Sequence, residues 1–327
     1  MGILLSASSA LEYWRHCDGV APQAARRQPP FGSPASLTLL RPHAAEIHEL
    51  DSRAFPYLSR PVHLLVPHQN MKIGLEEATV HVMQTTLPAS SYVALRHDVF
   101  VASPELTLAS LAASLSVPEL IQLGCELCGS YRMTPDGGFR TTQPATCVAA
   151  LRSFGRRIDG ARGISRFRRA VRYVLDGSAS PMETAIALML ALPPSLGGYG
   201  LPAPVLNHRI EPRPGMQTPI GLTGKRFFVA DLCWPGSHYV LEYDSDAYHT
   251  GPERIAADAA RRDALQLMGY DVSTVSRRQA MSALEMNAIA QLVAKKLGVQ
   301  IRLRCRDWNQ RNFELRETVL PPHKPFV

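Results

Sequence analysis

Two apolar stretches that contain acidic residues decide the fold of this chain: Val229-Ala230-Asp231 and Tyr239-Val240-Leu241-Glu242-Tyr243-Asp244. A Pro235-Gly236 turn lies between them, which predicts an antiparallel hairpin. Side chains alternate along a strand, so Glu242 and Asp244 share one face, and hairpin pairing can bring Asp231 beside Glu242. The sequence therefore predicts a patch of three carboxylates on one hairpin.

Three carboxylates on one patch repel each other unless they are protonated or neutralised by a cation. A hard divalent ion with oxygen ligands, Mg²⁺ or Mn²⁺, removes that conflict, and we predict one as the cofactor. Such an ion could polarise a phosphate oxygen and lower the pKa of a bound water, as phosphodiester hydrolysis requires. The other interpretation is that the acids face solvent or pair with nearby arginines such as Arg261 and Arg262.

The segments around the hairpin predict a domain of mixed α/β type. Ser180-Pro181-Met182-Glu183 has the N-cap serine, the N1 proline and the N3 acid that begin a helix. After it come three β-like segments, a helix, a strand and a last long helix: 205 to 210, 226 to 232, 238 to 244, 252 to 268, 271 to 276 and 280 to 297. The predicted order from Ser180 to Ser276 is α-β-β-β-α-β.

An ordered series of motifs in this region resembles a known family. The motifs are Met182-Glu183, Val229-Ala230-Asp231, Leu241-Glu242-Tyr243-Asp244, Tyr248-His249 and the stretch from Asp258 to Val272. They are similar to the domain of bacterial proteins related to very-short-patch-repair endonucleases, in the PD-(D/E)XK superfamily, over about residues 180 to 278. The resemblance implies a restriction-endonuclease-like core, a mixed sheet flanked by helices, and a metal-dependent endonuclease that hydrolyses phosphodiester bonds of DNA.

The resemblance also implies roles for individual residues. Asp231 and Glu242 would be metal ligands, with Glu183 as an outer or bridging carboxylate. His249 would transfer a proton or contact the phosphate near the cleaved bond. Together with Asp244, these four residues form the predicted catalytic set.

The chain departs from the family pattern at two positions. Asp244 stands where a full motif has a lysine, and Ser245 replaces the glycine that usually follows. Lys225 could return a positive charge to the site. Because a fold does not guarantee activity, a second function stays open: a catalytically inactive, DNA-binding regulator or antitoxin-like protein with a nuclease fold.

Arginines are concentrated just before the predicted nuclease domain. Between Arg152 and Arg172 there are eight arginines and one acid, Asp159. Such a stripe is a candidate surface for the phosphates of a nucleic acid, although a solvated helix face has the same pattern. With Lys225, the predicted nucleic-acid-binding residues are Arg156, Arg157, Arg162, Arg166, Arg168, Arg169 and Arg172.

The length of 327 residues favours two domains over one. We predict a mixed α/β domain at 1–150, an Arg-rich helical connector at 151–177, the nuclease domain at 178–300, and a strand and tail at 301–327. Residues 37 to 150 faintly resemble the central domain of abortive-infection type IV antitoxins, through Val62 to Pro67 and Val99 to Leu115. This resemblance implies that the first domain binds nucleic acid or a partner.

Composition and cysteine use predict a soluble cytoplasmic protein. No apolar run approaches the roughly 18 residues of a membrane-spanning helix, so no membrane association is expected. Six scattered cysteines in a chain with enough apolar residues for a core indicate reduced thiols. Cys125 and Cys128 lie in an apolar helical pattern with no second pair nearby, which favours two core cysteines over half of a zinc site.

Overall fold

The computed structural model of the chain describes residues 2–17, 42, 47, 50, 55–88, 90–96, 99–211, 227–244 and 252–321, with backbone alone at 96 and 252–258. The chain divides into two compact units, Met1–Val174 and Leu175–Val327. Helices flank a mixed sheet in each unit. The predicted mixed α/β fold with more than one domain is therefore confirmed.

The first unit is built on a five-stranded mixed sheet. Its strands are β1 (Ile3–Leu5), β2 (Val62–Val66), β3 (Ala78–Val82), β4 (Tyr92–Arg96) and β5 (Val99–Ala102). They lie in the order β3-β2-β1-β5-β4, and β1 pairs antiparallel with β2 and parallel with β5. Two further strands, β6 (Tyr131–Met133) and β7 (Phe139–Thr141), form a separate hairpin.

Five helices are described in the first unit: α1 (Ala7–His16), α2 (Pro104–Leu111), α3 (Val117–Cys128), α4 (Val148–Arg157) and α5 (Ile164–Val171). Serine caps start two of them: the Ser103 hydroxyl accepts from the Leu106 amide, and Ser116 forms a capping box. The buried Trp14 ring of α1 donates to the Ala102 carbonyl at 2.9 Å, which ties α1 to the sheet. Cys125 and Cys128 are buried in the core on α3, as predicted.

The Arg-rich segment differs from the connector that we predicted at 151–177. Its helices α4 and α5 belong to the first unit, which ends at Val174. Their apolar faces are buried, and the rings of Phe154 and Phe167 meet edge to face with 6.2 Å between centroids. The arginines occupy the outer faces of two helices whose inner faces build a core, so the segment is part of a domain.

Gly163, between α4 and α5, gives a test of this packing. Its φ is +84°, and an added Cβ would lie 2.5 Å from the carbonyl carbon and oxygen of Ala112. We expect Gly163→Ala to destabilise the first unit by roughly 2 to 5 kcal/mol, through backbone strain and overlap together. Gly160→Ala is the matched control, because φ is +69° there but no atom lies within 4 Å, so strain alone should cost about 1 kcal/mol. Hydrogen exchange of first-unit amides in urea measures both, and equal losses would contradict the packing argument.

The second unit contains a four-stranded sheet. Its strands are β8 (Val205–Ile210), β9 (Phe228–Trp234), β10 (Tyr239–Asp244) and β11 (Asp271–Ser276), in the order β11-β10-β9-β8. The first three form an antiparallel meander, and β11 pairs parallel with β10. Helix α6 (Pro181–Ala191) precedes the meander and helix α7 (Pro252–Leu267) connects β10 to β11. The predicted order α-β-β-β-α-β is confirmed.

The end of the chain corrects two predictions. The single long helix predicted at 280–297 is two helices, α8 (Arg277–Met281) and α9 (Ala283–Lys296), because the Ser282 hydroxyl caps a new helix by accepting from the Glu285 amide. The strand predicted at 301–327 is wrong, since a helix, α10 (Trp308–Val319), forms there. Its buried residues Asn312, Leu315 and Val319 recur at helical spacing. Within the described residues, no helix is long and apolar enough to cross a membrane.

Candidate functional site

The β9–β10 hairpin brings Asp231 and Glu242 together. Leu232 lies opposite Leu241, so the next two residues in register are Asp231 and Glu242. The regular ladder ends at this point, because Asp231 Oδ2 accepts from the Tyr243 amide at 2.8 Å. The two carboxyl groups also share a hydrogen bond. The predicted pairing of these two acids is confirmed.

Both carboxyl groups hold protons more tightly than usual. Burial raises the pKa of Asp231, although the Tyr243 amide and Arg261 act against this. Burial, and then the neighbouring charge of Asp231, raise the pKa of Glu242 to about 7. The pair therefore keeps a proton to higher pH than ordinary carboxyl groups do.

Arg261 of α7 is the basic partner of this pair. Its Nη2 donates to Glu242 Oε1 at 3.1 Å and Oε2 at 3.2 Å, and to the Val229 carbonyl at 2.5 Å. The Glu242 side chain is 17% exposed and the Arg261 side chain 36%. The arginine pairing that the sequence left as an alternative is therefore present for Glu242. Arg262, the next residue, is exposed.

Glu183 is buried at the start of α6, where it caps the helix. Its Oε2 accepts from the Ala179 amide at 3.0 Å and from Asn207 Nδ2 at 2.6 Å, and its Oε1 accepts from the Ser180 hydroxyl at 2.8 Å. Burial raises the pKa of Glu183 despite these bonds, and the nearby charge of Asp231 raises it further. Both oxygens are engaged, so Glu183 suits an outer position better than direct ligation of a metal.

Asn207 is a site residue that the sequence analysis missed. It lies in β8 between the pairs Leu206–Leu232 and His208–Ala230, which puts it opposite Asp231. Its φ of +48° is left-handed, and its Nδ2 bridges Glu183 to the Gly177 carbonyl at 3.0 Å. Asn207, Asp231 and Glu242 thus form one row across three strands. A polar residue inside a strand was the available signal, and it is a weak one.

The donor set fits a divalent cation held by two carboxylates. Within the described residues, no group of three or more His, Cys, Asp or Glu side chains is arranged to hold a metal. Asp231 and Glu242 are nevertheless adjacent, half-buried and mutually repelling when both are ionised. Mg²⁺ commonly uses one or two carboxylates and completes its shell with waters and substrate oxygens. Two protein ligands are therefore enough for that ion.

Other predicted site residues lie at the margin of this cluster or beyond what is described. Asp244 is exposed at the end of β10, in register with Ser276 of β11. His249, Ser245 and Lys225 lie outside the described residues. Their predicted roles stay predictions.

The fold uses two of the arginines that we predicted to bind nucleic acid. Arg166 Nη1 donates to the carbonyls of Ala112 at 3.0 Å and Leu115 at 2.9 Å, after the last turn of α2. Arg168 donates from Nε to the Gly155 carbonyl at 2.8 Å and from Nη2 to the Ile158 carbonyl at 2.7 Å, at the end of α4. Both arginines thus supply partners to carbonyls that helix ends leave unpaired. Their contact with nucleic acid stays a prediction.

The other six arginines of the stripe are exposed, as Arg166 and Arg168 are. In the part of the chain that the structure describes, none of the six forms an ion pair with a carboxylate. We call them the exposed arginine set: Arg152, Arg156, Arg157, Arg162, Arg169 and Arg172.

The acid pair predicts how stability depends on pH. The folded pKa of Glu242, about 7, lies above its ordinary value of 4.5, so between these values the unfolded chain holds fewer protons than the folded one. Stability of the metal-free protein should therefore fall as pH rises from 4.5 to 7 and then level off. Glu242→Gln should give a shallower fall in urea midpoint over this range in EDTA. Identical slopes for parent and variant would contradict the assignment.

Comparison with known proteins gives a match over the same short length to two proteins. Two Mycobacterium tuberculosis proteins, both described as uncharacterized, are each 28% identical to this chain over 113 residues: Rv2248 of strain ATCC 25618 / H37Rv and MT2308 of strain CDC 1551 / Oshkosh. The match covers 35% of this chain and 36% of each relative, so the chain spans about a third of their length. No family model matches the chain, and no solved structure matches it.

Proposed function

We propose that this protein is a metal-dependent endonuclease that hydrolyses phosphodiester bonds of DNA, of very-short-patch-repair-like type. The observation that carries the proposal is the Asp231–Glu242 pair, two carboxylates from adjacent strands held in contact in a half-buried position. Two ionised carboxylates in contact repel each other, and a divalent cation between them relieves that repulsion. The α-β-β-β-α-β order around the pair supports the same proposal.

Asp231 and Glu242 would hold Mg²⁺ or Mn²⁺. That ion, when bound, lowers the pKa of a water and polarises the phosphate. Asp231 is oriented by the Tyr243 amide, and Glu242 by Arg261. Glu183, fixed by Ser180 and Asn207, would add negative charge behind Asp231 without binding the ion directly.

The proposed substrate is based on the positive charge of the exposed arginine set. The exposed arginine set lies on helices α4 and α5 and in the residues next to them, and its side chains form no ion pair with an acid among the described residues. Arginine contacts to phosphates position a nucleic acid without reading its sequence. We therefore propose DNA as the partner, bound through its backbone, with His249 and Lys225 retained as predicted contributors near the cleaved bond.

A second candidate is a DNA-binding regulator that keeps the nuclease fold without activity. The observation that favours it is the Arg261–Glu242 ion pair, which neutralises one of the two proposed ligands in the metal-free protein. Asp244 in place of a lysine points the same way.

Incubation of supercoiled plasmid with the purified protein distinguishes the two candidates. Nicked or linear product in Mg²⁺ or Mn²⁺, absent in EDTA, supports the endonuclease. Retention of the plasmid that weakens with salt, without cleavage in either metal, supports the regulator and rejects the enzyme.

A further inference from the structure

Arg261, which the sequence offered only as one of two possible partners of the acids, lies at the acid pair. One nitrogen, Nη2, lies within hydrogen-bonding distance of both Glu242 oxygens and of the Val229 carbonyl. The Val229 bond fixes the guanidinium to β9, the strand that carries Asp231. The Arg261 guanidinium is therefore anchored to the backbone beside the acid pair, and its position does not depend on Glu242 alone.

The Arg261 guanidinium is the positive charge that bonds to this cluster of acids among the described residues. Asp231, Glu242 and Glu183 are three acids that influence one another's pKa values. Asp244, two residues after Glu242 on the same strand, is exposed and is an acid, so it brings no positive charge to the pair.

We propose that Arg261 supplies the positive charge of this site, and that it sets how tightly Asp231 and Glu242 bind a divalent cation. This inference rests on the proposed function. Arg261 would not ligate the divalent ion in this scheme: it hydrogen-bonds to the proposed ligand Glu242 and acts on the site through its charge.

The proposal predicts opposite effects on metal binding and on cleavage. A divalent ion at the pair is repelled by the guanidinium a few ångströms away, so loss of that charge should tighten binding. A phosphate brought to the same site gains from the charge, so its loss should slow hydrolysis. A residue that merely maintained the fold would weaken both when replaced.

The test is calorimetric titration of Mn²⁺ into the whole chain and four variants: Arg261→Gln, Arg261→Lys, Arg262→Gln and Asp231→Asn. For Arg261→Gln we expect the dissociation constant to fall on the order of tenfold. Plasmid cleavage at saturating Mn²⁺ should fall about 100-fold. Arg261→Lys keeps the charge and should stay within about threefold of the parent in affinity. Arg262→Gln is the matched control, since it makes the same change one residue along, on an exposed side chain, and should match the parent.

The outcomes separate the two proposals. If the parent binds no Mn²⁺, or if Asp231→Asn binds Mn²⁺ as tightly as the parent does, the proposed function fails. If the parent binds Mn²⁺ but Arg261→Gln binds it equally or more weakly, the function stands and the role of Arg261 is rejected. Should Arg261→Gln not fold, the NMR signal of the Arg261 guanidinium in the parent decides: it should shift on Mg²⁺ addition, and an unchanged signal at saturation overturns the inference.

Discussion

Replacing Asp231 by asparagine is expected to abolish plasmid cleavage and, at the same time, to stabilise the metal-free protein. Loss of one of two carboxylate ligands removes most of the proposed metal affinity, and a metal contributes several kcal/mol to phosphodiester hydrolysis. A loss of at least about 1,000-fold in rate follows from that contribution. A plasmid-nicking time course in Mn²⁺ measures the rate, and thermal unfolding in EDTA measures the stability.

The gain in stability has a separate physical reason. Burial raises the pKa of Asp231, so its ionised form is unfavourable in the fold, and its charge also raises the pKa of Glu242. Asparagine is neutral at every pH and still has an oxygen that can accept from the Tyr243 amide, as Asp231 Oδ2 does at 2.8 Å. The variant should therefore unfold at a higher temperature than the parent at pH 8. At pH 5 the difference should shrink, because Glu242 is protonated there in both proteins.

Asp271→Asn is the matched control for this variant. Asp271 lies in the same sheet, but its side chain is 49% exposed and forms an ion pair with Lys296. The change should leave cleavage within about threefold of the parent, and removal of an exposed ion pair should alter stability little. If Asp231→Asn and Asp271→Asn cleave plasmid at the same rate, the acid pair is not the active site.

The hairpin could be predicted from sequence because its signals are local. The Pro235-Gly236 turn and the alternation of apolar and acidic residues define the pairing of Leu232 with Leu241. Asp231 and Glu242 then follow as neighbours, since register is periodic. The cap at Ser180 is local in the same way, and the Glu183 amide bonds to it as predicted.

Asn207 and Arg261 could not be predicted because their roles depend on tertiary placement. Asn207 faces Asp231 only through the register of β8 on β9, and 17 residues of chain separate those strands, so no short turn fixes that register. Arg261 lies on α7 and bonds to Glu242 on β10, whereas its neighbour Arg262 has the same side chain and is exposed. Sequence alone named both arginines as candidates and had no means to choose between them.

The arginine stripe shows a third limit. Composition indicated a basic surface between 152 and 172 but could not show which of its arginines also bond to helix ends. Arg166 and Arg168 reach carbonyls of α2 and α4, whose positions depend on how the helices pack. The last residues of the chain were misjudged for the same reason, since α10 buries Leu315 and Val319 against a core that the local pattern does not reveal.

The exposed arginine set should carry the binding of DNA, and its removal is the second large effect that we expect. Changing Arg156, Arg169 and Arg172 together to glutamine removes three proposed phosphate contacts. The dependence of log affinity on log salt should then become shallower by about 2.7, and affinity at 100 mM salt should fall roughly 100-fold or more. Fluorescence anisotropy of a labelled 20-base-pair duplex in EDTA, at several salt concentrations, measures both quantities.

The control for this experiment is a second triple variant with the same change in net charge. Arg302, Arg304 and Arg306 are exposed in the second unit, so replacing them by glutamine lowers the charge by the same amount at a different place. If position matters, the first triple flattens the salt dependence far more than the second. Equal effects would mean that DNA responds only to overall charge, because a diffuse field does not depend on which side chains produce it. Arg168→Gln should behave differently from both, with a loss of stability and little change in slope, because its guanidinium already bonds to the Gly155 and Ile158 carbonyls.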